Sequence, residues 1–223
     1  MAGAQTSGRG RLGRTWFSPA GAGLYVSVIV RERRAAPLLT LAGGVAVAEG
    51  IRAATGLPIS IKWPNDIVLE AGLRRRRKLA GILAEASSGA EGLQHVVLGF
   101  GINLLSTAYP TDLADRATSL AAELDRPVDA GLLLAECLVS LAGAVRVLAS
   151  GDGPALLERW TRLAPSARGA RVEWDGASGP ATGVTAGIAA DGALLVRTGS
   201  AFARAPADKS QIETIRSGQV RWL

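Results

Sequence analysis

The chain has one cysteine, one histidine and one methionine among 223 residues. A single cysteine, Cys137, excludes an internal disulfide framework, and a lone His95 leaves no Cys/His cluster to hold zinc. The apolar run from Leu41 to Ala48 is too short to span a membrane, and Glu136 interrupts the apolar stretch from Gly131 to Val145. Residues 1–15 contain no apolar core of the signal-peptide type. Together these absences predict a reduced, cytoplasmic protein with no membrane partner. Aromatics are also scarce, at five Trp, two Tyr and three Phe, which leaves no stacking platform of the kind single-stranded nucleic acid needs. A formal net charge of +6 nonetheless favours anionic partners, so a basic nucleic-acid-binding protein stands as the alternative from another class.

What is present reads as a globular chain. Hydrophobic residues make up 48% and charged residues 20%, without the low hydrophobicity of disordered chains. The length suits one large domain or a domain with a small companion. Leu24–Val30 is β-branched and alternating, a strand pattern. Between Pro37 and Thr55 apolar residues recur at helical spacing, with Pro37 placed to start a helix and Gly56 to end it. Short strands follow in ISIKW, DIVLE, KLAGILAEAS and HVVLGFGINL, then helical patterns at 129–148 and 152–162. After Pro165 the texture becomes all-β: ARVEW, GPATGVTAGIA, GALLVR and SQIETI are punctuated by Asp-Gly and Ser-Gly. The expectation is an α+β fold. Residues 1–165 form a mixed sheet with helices packed on it, and residues 166–223 a small β-barrel.

Near the N-terminus lies GRGRLGRTW, Gly8 to Trp16. Gly8, Gly10 and Gly13 satisfy the Gly-x-Gly-x-x-Gly pattern of dinucleotide-binding domains, but that pattern needs a strand before it and a helix after it. Only seven residues precede Gly8, and WFSPAG leads into a strand. The Rossmann reading fails. What remains is three arginines, Arg9, Arg11 and Arg14, on a glycine-rich backbone. That combination suits a mobile clamp for carboxylate or phosphate, or else a solvated basic loop.

Three further stretches follow in order: KWPNDI (Lys62–Ile67), KLAGIL (Lys78–Leu83) and GFGINL (Gly99–Leu104). With GRGRLGRTW they resemble the motif set of biotin protein ligases, and a barrel after a helical pair is similar to that family too. The resemblance implies the biotin/lipoate ligase catalytic fold followed by an SH3-like barrel. It implies an enzyme, a biotin--[biotin carboxyl-carrier protein] ligase. Such an enzyme uses ATP and Mg²⁺ to form biotinyl-5′-adenylate, then transfers biotin to a lysine of a carrier protein. A lipoate ligase shares this fold and is the nearer rival. The resemblance places Gln5, Arg9, Gly10, Arg11, Lys78, Gly81 and Gly99 at biotin. It places Arg11, Arg14, Trp16, Asn65 and Asn103 at ATP or the adenylate. Lys78, Arg11 and Asp66 take the catalytic roles. Lys78 would contact the biotin carboxylate and the α-phosphate; Asp66 would hold Mg²⁺ or accept the proton of the incoming lysine. Trp16 reads as a stacking lid residue or a loop anchor, and Gly101 with Gly81 and Gly99 as a point of close backbone approach. Arg74–Arg77 read as a solvated turn or as a docking patch for an acidic carrier. Cys137 and His95 read as structural.

The chain departs from that family before the glycine loop. A longer N-terminal segment with a Ser-Thr-Asn-like stretch is expected there, so the pocket is expected to lack one wall and the chain to be N-terminally short. The helix-turn-helix that some members carry is also absent, which predicts no DNA partner. A homodimer is left open.

Overall fold

The structure is a computed structural model that describes residues 1–71, 75–176, 179–199 and 211–223. Its first sheet holds β1 (Gly23–Val30), β2 (Ser60–Lys62), β3 (Asp66–Ala71), β4 (Arg75–Gly89) and β5 (Gly92–Asn103), in the order β1-β5-β4-β3-β2. Every ladder in it is antiparallel, which corrects the expected mixed sheet. The reason is connection length. From β2 to β5 the links are a few residues, too short for the crossover that parallel pairing requires.

Helix α1 (Leu39–Thr55) covers one face of this sheet. It begins after a 3₁₀ turn, Arg33–Leu38, that holds Pro37, so the helix starts two residues later than Pro37 suggested. It ends at Gly56, whose φ of 75° accepts the left-handed cap. On the far side of α1 lie α3 (Ala130–Ala149) and α4 (Gly153–Leu163), after a short α2 (Leu120–Leu124) that the sequence reading did not anticipate. Gly50 of α1 is where α3 comes closest: a Cβ there would sit 2.5 Å from Cys137 Sγ and 2.7 Å from its backbone nitrogen. Cys137 is fully buried, and burial, with Glu136 adding to it, pushes its thiol up to about 12. The three helices also share Glu49, which accepts from Arg159 at 2.6 Å and from Ser140 at 2.5 Å. Burial alone would raise that carboxyl, yet these hydrogen bonds and the nearby guanidinium hold it below its ordinary value.

Two segments, Arg33–Thr55 and Ala130–Ala149, are long and apolar enough to cross a membrane by length and composition. The first is mostly buried against the sheet; the second packs along one face only.

A second sheet runs β10-β6-β7-β8-β9, all antiparallel, from β6 (Arg168–Gly176), β7 (Gly179–Ile188), β8 (Leu194–Thr198), β9 (Gln211–Ile215) and β10 (Val220–Trp222). Strand β10 had no counterpart in the sequence reading. Val172, Trp174, Leu194, Val196, Ile215 and Val220 join the same apolar cluster as the first sheet. Trp63 Nε1 donates to Gly192 O at 2.9 Å, tying the two sheets together.

Strand periodicity prepares the site. On β5, Val96, Leu98, Phe100 and Ile102 are buried on the helix side. The alternate positions Gly99, Gly101 and Asn103 must then point to the opposite face. That face, away from α1, is where the loop carrying Arg9, Arg11 and Arg14 folds over.

Candidate active site

A cleft of about 810 Å³ opens on this face. Each sequence-predicted site residue lines it: Gln5, Arg9, Gly10, Arg11, Arg14 and Trp16 from the loop and the residues around it, Asn65 from the β2–β3 turn, Asp66 from the start of β3, Lys78 and Gly81 from β4, Gly99 and Asn103 from β5.

The loop closes on itself before it touches anything else. Trp16 N donates to Gly8 O at 2.9 Å, Gly10 N donates to Arg14 O at 2.7 Å, and Arg11–Gly13 form a 3₁₀ turn in which Leu12 has a φ of 57°. Its base is tied through Gln5, whose Oε1 accepts from Ser18 Oγ at 2.6 Å. Its three arginines then reach outward to different parts of the cleft wall. Arg9 meets Glu85 at 3.0 Å, Arg11 Nη1 donates to Asn65 Oδ1 at 3.3 Å, and Arg14 Nη2 donates to Gln219 Oε1 at 2.6 Å. The Arg9 pair is largely exposed and so weakly held. Arg11 is more enclosed. Burial lowers its pKa, with Arg14 acting in the same direction and Asp66 opposing.

Trp16 is placed differently from the lid reading. Its indole lies on the sheet: a Cβ built at Gly101 would stand 2.4 Å from Trp16 Nε1, and one at Gly81 would stand 3.0 Å from its ring. At Gly101 only glycine leaves the indole room, and at Gly81 a methyl would press on it. Trp16 therefore makes part of the cleft floor, and its buried Nε1 has no hydrogen-bond partner.

Lys78 sits where this floor meets the charged wall. Its Nζ is 2.5 Å from Asp66 Oδ1 and 5.2 Å from the centre of a Trp16 ring. Its backbone is fixed on both sides, by Lys78 N to Arg116 O at 2.8 Å and Thr118 N to Lys78 O at 2.9 Å. Asp66 stands at the start of β3, beyond the cis Trp63–Pro64 peptide bond. Asn65 Nδ2 donates to Ile82 O at 2.8 Å, which orients its Oδ1 toward Arg11. Asn103 is buried and spends its amide on Thr118 O at 2.9 Å.

The arginine run divides. Arg74 lies outside the described residues. Arg76 pairs with Glu70 at 3.2 Å and covers a Trp222 ring at 5.2 Å, while Arg77 pairs with Glu123 at 2.8 Å. Glu123 also accepts from the buried Thr118 hydroxyl. Both arginines thus brace the structure around the cleft. This differs from a solvated turn, and it leaves them less available as a free docking patch.

Sequence reasoning missed two residues. Lys62 lines the cleft and pairs across the ladder with Asp66. Burial pushes its ammonium below the ordinary lysine range, and Lys78, Arg76 and Arg14 act the same way against the pull of Asp66. The signal was available, since Lys62 opens the KWPNDI stretch that was read for Asn65 and Asp66 alone. Gln219, between β9 and β10, gave none, because 205 positions separate it from Arg14. Among the described residues, seven cationic side chains line the cleft (Arg9, Arg11, Arg14, Lys62, Arg76, Lys78, Arg116) against two carboxylates, Asp66 and Glu85. Such a site is built for an anionic ligand, with an apolar floor beside it.

Comparison with known proteins agrees with this chemistry. Residues 1–103 match the model of the biotin/lipoate A/B protein ligase family. The chain is 40% identical over 130 residues to the bifunctional ligase/repressor BirA of Bacillus spizizenii, a match covering 56% of this chain and 38% of that protein. It is 34% identical over 162 residues to BirA of Salmonella typhimurium, covering 71% and 49% respectively. The chain thus spans less than half the length of these relatives. Its fold superposes on the biotin protein ligase of Aquifex aeolicus in complex with biotin and ATP, with a TM-score of 0.79, 27% identity, and coverage of 99% of this chain and 87% of that one.

Proposed function

Because the chain carries a domain of the biotin/lipoate A/B protein ligase family, we propose that its cleft activates biotin with ATP and passes it to a lysine of a biotin carboxyl carrier protein. The observation that carries this reading is the position of Lys78. One ammonium lies against the tryptophan–glycine floor on one side and among the arginines on the other.

In the first step a biotin carboxylate oxygen attacks the α-phosphorus of ATP. An acyl–phosphate bond forms, the bond to the bridging oxygen breaks, and pyrophosphate leaves with that electron pair. The reactants are both anions, so the work is positioning and charge neutralisation. The fused rings of biotin lie on Trp16 over Gly81 and Gly101. Its carboxylate then falls at Lys78, which bridges it to the α-phosphate. Arg14 and Lys62 take the outer phosphates, and Arg11, oriented by Asn65, closes over the adenylate with Arg9 and Gly10. Gln5, Gly99 and Asn103 complete the walls.

In the second step the carrier lysine's neutral amine attacks the acyl carbon. A C–N bond forms, the C–O bond to AMP breaks, and the amine proton goes to solvent. Asp66 acts here chiefly by holding Lys78 in place.

Mg²⁺ is implied by the family resemblance. Among the described residues no group of three His, Cys, Asp or Glu side chains converges. Asp66, a carboxylate lining the cleft at the start of β3, is the residue that would help hold the ion beside bound ATP. When bound, that ion supplies further neutralisation of the phosphates. Residues 166–223 we read as a small SH3-like barrel, a reading supported by the five-stranded antiparallel order of the second sheet.

The test is biotin-dependent exchange of labelled pyrophosphate into ATP, followed by labelling of a carrier domain, with lipoate run in parallel. Exchange with biotin and not with lipoate is expected. Exchange absent with biotin, or equal with both, defeats the proposal.

A further inference from the structure

Lys78 stands where the first sheet is least regular. On one side the β3–β4 ladder skips a residue: Ile67 faces Ala80 and Val68 faces Lys78, so Leu79 is an extra residue on β4. A bulge of this kind bends its strand and re-aims a side chain. On the other side the β4–β5 ladder begins only at Ala80, opposite Ile102. Lys78 lies beyond that ladder, and a loop supplies the rung instead. Lys78 N donates to Arg116 O at 2.8 Å and Lys78 O accepts from Thr118 N at 2.9 Å, a parallel bridge centred on Ala117. Half of the backbone pairing of this lysine thus comes from residues 116–118, outside the sheet.

A carboxylate on α2 holds that loop. Thr118 is fully buried; its carbonyl accepts from Asn103 Nδ2 at 2.9 Å and its hydroxyl donates to Glu123 Oε1. The Glu123 side chain is 11% exposed, and the same Oε1 accepts from Arg77 Nη2 at 2.8 Å. Arg77 precedes Lys78 in the chain, so the contacts close a ring that runs from Lys78 through Thr118, Glu123 and Arg77 back to Lys78. A buried hydroxyl and a guanidinium share one acceptor, and Glu123 satisfies both. Glu123, Thr118 and Arg77 are not among the residues that line the cleft, so they reach the reacting groups only through the residues they hold. We infer that Glu123 is a positioning residue. Through Thr118 and Arg77 it fixes the backbone of Lys78, and with it the point at which the ammonium meets the carboxylate and the α-phosphate; this rests on reading the cleft as a biotin-activating site.

Removing the carboxylate leaves the Thr118 hydroxyl buried without a partner and Arg77 without its counter-charge, and the 116–118 loop can then shift against β4. A displacement of about 1 Å at a group that must meet two anions costs up to about 10² in rate. A loss of stability alone would leave the rate per folded molecule unchanged.

The test is a double-mutant cycle on biotin-dependent pyrophosphate exchange by the full chain, with folding followed by circular-dichroism melts. Glu123→Ala is expected to lower the rate about 10- to 100-fold with little change in the KM for ATP. In a chain already carrying Lys78→Ala it should alter the residual exchange by about twofold at most, since the group it positions is gone. Glu123→Gln, whose amide oxygen still accepts from Thr118 and Arg77, should recover most of the rate. Thr118→Val, of nearly the same shape, gives a second route to the ring where Glu123→Ala does not fold. It should lower the rate in the same way, and Thr118→Ser should restore it. An unchanged rate in Glu123→Ala and Thr118→Val, a Glu123→Gln chain as slow as Glu123→Ala, or an equal loss with and without Lys78 overturns the inference and leaves the assignment of Lys78 standing. Full exchange in Lys78→Ala overturns that assignment, and this inference with it.

Discussion

The cleft has two unlike halves. Its floor is made of strand residues and the indole of Trp16. Lys78 is bonded through its backbone on both sides, and Gly81 and Gly101 leave no spare space beneath the ring. Its roof is the Gly8–Thr15 stretch, closed mainly by its own backbone and reaching the body through exposed or part-exposed arginine contacts. A rigid floor and a lightly tethered roof suit the two steps of the proposed reaction. In that reaction the floor would fix where the first bond forms and the roof would retain the intermediate until the acceptor arrives.

Substitutions should separate the halves. The largest effect is expected from the floor. Lys78→Ala should lower the rate of adenylate formation by about 10² to 10³, comparable to loss of one oxyanion-hole donor, as read by burst-phase kinetics. Arg9→Ala, which removes an exposed cation from the roof, should change that rate little. Gly101→Ala comes next. The added methyl meets Trp16 Nε1 at 2.4 Å and must displace the indole. Biotin affinity measured by calorimetry should then fall by about 10², the scale on which small misplacements act.

Arg11→Gly should sharpen the comparison from the other side. It removes one charge-assisted contact from the roof, so release of free adenylate should rise about ten- to a hundredfold while its formation falls less than in Lys78→Ala. The smallest effect concerns Lys62. Its pKa lies below the ordinary lysine value, so its charge is present below that pKa and lost as pH rises through it. A polyphosphate favours the charged form, so ATP binding should take up protons and weaken at alkaline pH. In Lys62→Met that alkaline dependence should flatten.

The sequence made some of this legible and hid the rest for physical reasons. Strand and helix periods placed the main elements, since alternation on β5 and helical spacing in α1 and α3 are local properties. The four motif stretches marked residues that now line one cleft, because three of them sit at strand ends or on site-facing strand positions and the first is the loop that folds over that face. Connectivity was misread as a mixed sheet, although the short links between β2 and β5 already forbade parallel pairing. The sequence left Trp16 open between a stacking lid and a loop anchor, because nothing local reveals that Gly81 and Gly101, on separate strands, lie against its ring. Gln219 and the partners of Arg76 and Arg77 depend on folding distant segments together, and no local pattern carries that.

One measurement tests the division of labour most directly. A single turnover with labelled ATP and biotin, quenched in time and separated into enzyme-bound and free adenylate, should be run on the wild-type chain, Lys78→Ala and Arg11→Gly. The account predicts that Lys78→Ala makes little adenylate of either kind, and that Arg11→Gly makes a substantial amount, most of it free. Equal losses of total adenylate in both variants, with the same free fraction as the wild-type chain, would contradict it.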